Sequence, residues 1–562
     1  MSRDSNAGSL HKQLIEALVK QPEKHGPGFL PAKKLNDILT EDALREELTT
    51  GSLKKRIKTR IKTRNWKPAP SPEEANERVQ KVFGKSPGVG PEKSKPRTYL
   101  KIMAILLLIE RQHKIRSFLK HQLHDEDLPL IPVAKGSWEL RCKKHPDTPL
   151  SCFKKWSGDS IRKFAEWQWT VLAPHFSQGE RKRFEPLQTL PFTKWERVEK
   201  GGTSSVYKAR IHPDHHNFHD MDSDNSTSSP VTVTFAISHN PRQDQPSQHS
   251  DPNVFAIKRL DNHAAKLNFR KEVGALKKVS RSSHRHIISL LASYEHHENC
   301  YLIFPWAETD LSKFWQTNTE YGTQDMERWI AVQCQGLADG LATIHREKTT
   351  SMDSLMRQNT AVREYYDETG ELPGGLRLFG RHGDIKPENI LWFPPTRGSY
   401  NHKGTLKIAD FGSAELSTKP GVPKECGTGS SMYQPPEASP EFAEATLPKS
   451  SYDIWSLGCL YLEFTAWWFG GPQLVGEFLE KRLTPENLPV KSLVDVPSFF
   501  TIQQDGETSA SSRQGPSAQR VGLKKSVLQV CNHFFATGSL VPENQTMALK
   551  PVSKVCNDNT TS

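Results

Sequence analysis

Two aspartates and an asparagine, at spacings that suit the handling of a triphosphate, are the residues of this chain best placed to do chemistry. Asp384 and Asn389 lie in the run His382-Gly383-Asp384-Ile385-Lys386-Pro387-Glu388-Asn389, and Asp410-Phe411-Gly412 follows at the end of a short apolar run. Phosphoryl transfer asks little covalent chemistry of a protein; it asks for positioning and for cancellation of charge. Asp384 is placed to accept or orient the proton of an attacking hydroxyl. Asn389, five residues later, and Asp410 are candidates to hold Mg2+ ions that bridge the phosphates of ATP. A lone Asp-Phe-Gly carries little information, whereas the two runs together, in this order, are rarely accidental.

The elements that must position these residues are also visible. Val254-Phe255-Ala256-Ile257-Lys258 reads as a buried strand ending in a lysine that could meet the phosphates. Fourteen residues on, Glu272 sits three after Phe269, and Phe269, Val273 and Leu276 recur at helical spacing. Glu272 therefore projects near a buried helix face and is expected to form an ion pair with Lys258. Taken singly, both residues would more often be solvated surface charges. Agreement with the downstream runs favours the functional reading, because signals in register reinforce one another.

On these motifs, residues from about 191 to about 530 resemble a eukaryotic protein kinase domain. The wording from Arg381 to Phe393 is similar to a group of filamentous-fungal kinases of unassigned role, as are Pro191–Glu196 and Tyr301–Ala307. Pro435-Pro436-Glu437 and Asp453-Ile454-Trp455-Ser456-Leu457-Gly458 are further family marks. The resemblance implies an α+β, two-lobed protein kinase fold, with a small β-rich lobe and a large helical lobe whose end reads as truncated. It implies a serine/threonine kinase that transfers the γ-phosphate of ATP to protein hydroxyl groups, with ATP and Mg2+ as cofactors. Catalytic roles fall to Asp384, Lys386, Asn389, Lys258 and Glu272, and metal binding to Asn389 and Asp410. Lys386 marks the serine/threonine class and would neutralise the transferring group. Nucleotide binding falls to Gly201, Gly202, Val206, Ala256, Lys258, Phe304, Pro305, Ala307 and Asp310, with Phe304 behind the adenine and Asp310 at the ribose. The alternative is a pseudokinase acting as a nucleotide- or protein-binding scaffold. Retention of Lys258, Glu272, Asp384, Asn389 and Asp410 favours the enzyme.

Three departures from the family pattern stand out. In Val198-Glu199-Lys200-Gly201-Gly202-Thr203-Ser204-Ser205-Val206, only Gly201 matches the middle of three usual glycines; Glu199 and Ser204 occupy the outer positions. Gly383 replaces the arginine that normally pairs with a phosphorylated activation segment, so switching through Thr428 or Ser430 is not expected. Beyond Leu528 the chain shows no helical rhythm, and no arginine is evident to pair with Glu437. Apolar surface should remain uncovered there.

The 562 residues suit a kinase domain and one smaller unit. Residues 1–190 read as mostly helical, with apolar periodicity in Leu10–Val19, around Leu35 to Leu44, and in one long helix from about Thr98 to Gln122. This region should dock onto the kinase domain or onto a protein partner. Insertions are expected at about 212–250, as a disordered loop, and at about 346–379; residues 531–562 read as an irregular polar tail. The net charge of +12 is concentrated in Lys54–Arg64, more often a solvated segment than a nucleic-acid contact. Eight cysteines without pairing rhythm suit a reducing compartment. Cys142, His145 and Cys152 lack a fourth ligand for zinc. Residues 1–20 are too polar for a signal peptide, and Ile102–Ile109 is too short to span a bilayer. A soluble intracellular protein, cytoplasmic or nuclear, is expected, with ATP and protein substrates as partners and no membrane contact.

Overall fold

The computed structural model describes residues 9–22, 26–51, 71–85, 97–134, 139–200, 204–218, 251–260, 272–274, 276, 284–346, 379–395, 402–417, 431–438, 450–483, 498–504 and 519–538. These form two compact units, residues 1–261 with 291–303, and residues 262–290 with 304–562. The basic run at 54–64, most of the insertion at 212–250, that at 346–379, Gly201, Gly202, Thr428 and Ser430 lie outside the described residues.

The first unit begins with helices α1 (Leu10–Glu16), α2 (Ala32–Ile38), α3 (Glu41–Glu46), α4 (Pro72–Val82), α5 (Leu100–Leu108), α6 (Ile115–Lys120) and α7 (Gly158–Val171). Helix α5 is apolar on every face and buried from Ile102 to Leu108, as befits the centre of a helical core. Asp125 caps it from outside, accepting hydrogen bonds from the N–H groups of Lys101 (3.1 Å) and Ile102 (3.0 Å) and from the Thr98 hydroxyl (2.9 Å). The single helix expected from Thr98 to Gln122 is in fact two. Glu110 adopts a left-handed φ of 53°, and the N–H groups of Glu110 and Arg111 turn back to Leu107 and Leu106. This is a Schellman stop, usually marked by a glycine, built here on a glutamate. The region is also not purely helical: β1 (Leu130–Pro132) and β2 (Leu140–Cys142) form an antiparallel pair.

The same unit contains β3 (Arg181–Arg183), β4 (Phe192–Lys200), β5 (Ser204–Ile211), β6 (Val254–Leu260), β7 (Ala292–His296) and β8 (Asn299–Pro305) in a six-stranded sheet ordered β3-β7-β8-β6-β5-β4. Burial alternates along β5, with Tyr207, Ala209 and Ile211 facing the core. The helical region supplies β3, which pairs in parallel with β7, Lys182 opposite Tyr294. Phe176 and Phe184 flank β3 and pack with Phe192 and Tyr294 at ring-centroid distances of 5.5–6.4 Å. Arg181 pairs with Glu295 at 2.6 Å. The N-terminal region thus packs on this sheet. The start of the 212–250 insertion is also ordered: Pro213–His215 form a 3-10 turn, and His216 bridges to Phe176.

The second unit comprises β9 (Thr309–Asp310), α8 (Leu311–Thr317), α9 (Gln324–Arg346), β10 (Phe379–Arg381), β11 (Ile390–Phe393), β12 (Thr405–Ile408), β13 (Glu415–Ser417), α10 (Ser451–Leu483), β14 (Phe500–Gln504), β15 (Gln519–Leu523) and α11 (Lys525–Gly538). Aromatic rings hold its helices together: Phe314 and Trp315 of α8, Trp329 of α9, and Phe464 and Trp467 of α10. Helix α10 turns at Gly471, φ 64°, just before Pro472. Two expectations fail at the chain's end. Residues 531–538, expected to be irregular, continue helix α11, and its Val527 and Cys531 cover Phe478 and Phe499 rather than leaving them bare. A buried arginine does exist, but Arg482 pairs with Glu463 (2.5 Å), not with Glu437. Tyr433 donates to the second oxygen of Glu463 at 2.7 Å.

Phe176→Ala should destabilise the chain by about 3–5 kcal/mol, because it empties the aromatic seam between the N-terminal region and the sheet. Denaturant unfolding of the full chain measures this; a loss under about 1 kcal/mol would show that the seam is not closely packed.

Candidate active site

The antiparallel pair β11–β12 sets the frame of the site, with Ile390 opposite Ile408. The ladder runs one step further, Ala409 N–H donating to the Asn389 carbonyl at 2.8 Å, so Asn389 and Asp410 leave the same end of the pair. His286 braces β12 by donating from Nδ1 to the Leu406 carbonyl (2.8 Å); burial pushes the His286 pKa down to about 4. From α9, Gln333 accepts from the Leu406 N–H at 2.8 Å.

The turn from His382 to Asn389 hangs on Asp453, a fully buried carboxylate near the start of α10. Asp453 accepts from the N–H groups of His382 (2.7 Å) and Gly383 (2.8 Å) and from His345 Nε2 (2.9 Å). The His382 ring is buried too. Its Nδ1 accepts from Asp384 N–H (3.4 Å), so Nε2 carries the proton and donates to the Ala409 carbonyl (3.0 Å). Burial holds its pKa below the usual histidine range, against the pull of Asp453, Asp410 and Asp384, and keeps the ring neutral. Phe411 packs edge-on against it at 5.0 Å. Gly383 has φ 83°, and a side chain there would bring its Cβ within 3.0 Å of the Ser413 carbonyl.

The candidate catalytic groups stand on this scaffold. The Asn389 amide nitrogen donates to both the Asp384 carbonyl (2.7 Å) and its Oδ2 (2.8 Å), which turns the amide oxygen away as the atom a cation would take. Lys386 Nζ lies 3.0 Å from the same Oδ2. Asp410 is exposed, with a left-handed φ of 62°, and its Oδ1 accepts from Gly412 N–H at 3.2 Å. The Asn389 amide oxygen and the Asp410 carboxylate are oxygen donors of the kind a hard cation prefers. Asp310, assigned to the ribose from sequence, spends its carboxylate locally: it caps α8 through Lys313 N–H (2.9 Å) and pairs with Lys313 Nζ (2.8 Å). Phe304 is buried near the end of β8, and Pro305 has only a carbonyl to offer, lacking an N–H. Ala307 follows two residues later. Glu272 is buried within the second unit.

The remaining candidates belong to the first unit. Val206 pairs with Lys258, and Lys208 with Ala256, across β5 and β6. Directly opposed residues share a face, so Val206, Ala256 and Lys258 lie on the face opposite the buried Tyr207, Phe255 and Ile257. Glu199 is opposite Val206 on β4 and joins the same row. Cys142, His145 and Cys152 do not gather: among the described residues no three His, Cys, Asp or Glu side chains are grouped to hold a metal. Of the supporting residues, Asp453 was named from sequence only as the first residue of a family mark, and His345, Glu463 and Arg482 were given no role. The Asp453–Gly458 motif was the one available signal.

A family model described as the protein kinase domain matches residues 380–469, which span this turn, the β11–β12 pair and the start of α10. Serine/threonine-protein kinase ksp1 of Schizosaccharomyces pombe is 28% identical over 208 residues, 37% of this chain and 36% of that protein. Cyclin-dependent kinase D-1 of Arabidopsis thaliana is 25% identical over 194 residues, 34% of this chain and 36% of its own length. Calcium/calmodulin-dependent protein kinase type 1 of Macrobrachium nipponense is 25% identical over 211 residues, 37% and 48% respectively. The chain spans between a third and a half of these relatives' lengths. Residues 380–469 of this chain thus match the protein kinase domain, and the described helices and sheets are those of an α+β fold. Among the described residues no helix is long and apolar enough to cross a membrane.

Asp453→Ala should destabilise the fold by about 3–5 kcal/mol, since it strands two buried backbone donors and the partly buried His345 ring at once. Unfolding in guanidinium measures this. A variant as stable as the parent would mean that other groups hold the turn.

Proposed function

We propose that this chain is a serine/threonine protein kinase that uses ATP and Mg2+ to phosphorylate protein hydroxyl groups, with residues 191–530 as its catalytic domain. The observation that carries the reading is the bonding of Asp384 with Asn389 and Lys386, beside an exposed Asp410 at the end of the adjoining strand. In this reading Asp384 orients the substrate hydroxyl and takes up its proton as the phosphoryl group transfers. Lys386, near Asp384, offsets charge on the transferring group. The Asn389 amide oxygen and the Asp410 carboxylate would hold Mg2+, which supplies charge cancellation across the phosphates when bound. Lys258 would bind the phosphates, Val206 and Ala256 the adenine face, and Phe304, Pro305 and Ala307 the inner edge of the base. Asp310 keeps a ribose role only if its Lys313 pair yields.

Asp410→Ala should lower Mg2+-dependent phosphate transfer to a general protein substrate by roughly a thousandfold or more, with Asp384→Asn as a second inactive control. The melting temperature should hold, because Asp410 is exposed. Full transfer activity in Asp410→Ala would defeat the assignment.

A second reading, a kinase fold kept as a binding scaffold, draws on Glu199. Its carboxylate lies in the same cross-strand row as Val206 and Lys258, where a triphosphate would meet it. Like charges a few ångströms apart repel even in a fairly polar setting. Glu199→Gly should tighten ATP binding roughly tenfold if about 1.4 kcal/mol of repulsion is relieved. Equal or weaker affinity in a nucleotide titration would count against the repulsion and leave the kinase reading standing.

A further inference from the structure

A cleft of about 380 Å³ lies within the first unit, between the N-terminal helical region and the turn that follows β5. Trp169 from α7, Leu128, Pro129, Lys101, Asp214 and His215 are among the residues that line it. The volume is in the range of small-molecule sites. None of these residues takes part in the phosphoryl-transfer site.

Two of its lining residues carry a buried ring nitrogen that lacks a partner. Trp169 is 7% exposed and His215 3% exposed. Among the described residues, Trp169 Nε1 and His215 Nε2 have no hydrogen-bond partner. The indole nitrogen can only donate. His215 Nδ1 lies 2.9 Å from the Pro174 carbonyl, which can only accept, so Nδ1 carries the proton. Burial lowers the His215 pKa and keeps the ring neutral, so Nε2 presents a lone pair. The lining residues thus carry a donor and an acceptor, each of which is unfavourable to leave unsatisfied. Lys101 and Asp214 bring opposite charges, which leaves the lining without net charge. The apolar surfaces of Leu128, Pro129 and the Trp169 ring suit a flat body.

We propose that this cleft binds an uncharged heterocyclic small molecule that accepts a hydrogen bond from Trp169 Nε1 and donates one to His215 Nε2. Such a molecule touches both the helical region and the end of the sheet, and so fastens one to the other. Its site is separate from the residues proposed to bind ATP.

Hypoxanthine, a neutral bicyclic compound with both donors and acceptors, serves as the probe in calorimetric titration of the full chain. The expected dissociation constant is about 1 mM or tighter. Trp169→Phe, which keeps the ring but removes the N–H, should weaken binding about tenfold, and Lys258→Met should leave it unchanged. If Trp169→Phe does not fold, Ala32→Trp, on the exposed first turn of α2 at the cleft wall, should block binding by filling the space. Absence of saturable binding to a normally melting chain would mean that water alone satisfies the two nitrogens, and would overturn the proposal. Equal binding in the Trp169→Phe or Ala32→Trp variant, or its loss in Lys258→Met, would overturn it as well.

Discussion

A carboxylate sealed from water must find its hydrogen bonds inside the protein, and it then dictates where the donors stand. Asp453 does this for the second unit. It draws the backbone of His382 and Gly383 together with the His345 ring, tying the turn that bears Asp384 to both α9 and α10. His382 passes the constraint on, through its ring, to Ala409 and Phe411 at the end of β12. Asp384 and Asp410 therefore owe their placement to one buried anion and one neutral imidazole. The buried pair Glu463–Arg482 plays a similar part lower in the same helix. Its arginine is held between the rings of Phe478 and Phe499, at 4.7 and 3.9 Å from their centroids. Burial raises the Glu463 pKa, and the arginine beside it opposes that shift.

In the first unit the governing element is the sheet. Its cross-strand register brings Glu199, Val206 and Lys258 into one row and turns Phe255 and Ile257 to the core. That core reaches upstream of residue 191 to take in Phe176, Phe184 and Leu190. The helical region is thus an added layer on the sheet as well as a body with its own interior around α5. Residues before and after position 191 thus share one set of aromatic contacts.

What could be read from the sequence was what is encoded locally. The Asp384–Asn389 spacing and Asp410-Phe411-Gly412 are short runs whose chemistry is visible in the residues themselves. The strand ending at Lys258 shows in its apolar run. Three features escaped because their causes are not local. The stop at Glu110 uses a left-handed glutamate where a glycine would have announced it. Strand β3 is three residues rich in arginine and lysine, with no apolar alternation, and exists only because β7 lies alongside. Helix α11 was obscured by the polar residues around Cys531 and is defined by the contacts of Val527 and Cys531 with Phe478 and Phe499. The role of Asp310 as a helix cap was legible in principle, since aspartate is a preferred residue at that position.

The pairing of β3 with β7 also bears on the order of assembly. Arg181 and Ser293 are more than a hundred residues apart in the chain yet adjacent in the sheet. Closing so long a loop gives no return until both ends are in place, and contacts of this kind form late. The helical core around α5 draws only on residues 10–171 and has no such delay. During synthesis it emerges first and leaves the β3 segment without its neighbour until β7 and β8 have been made. Until β7 has been made, the β3 segment has no strand to pair with.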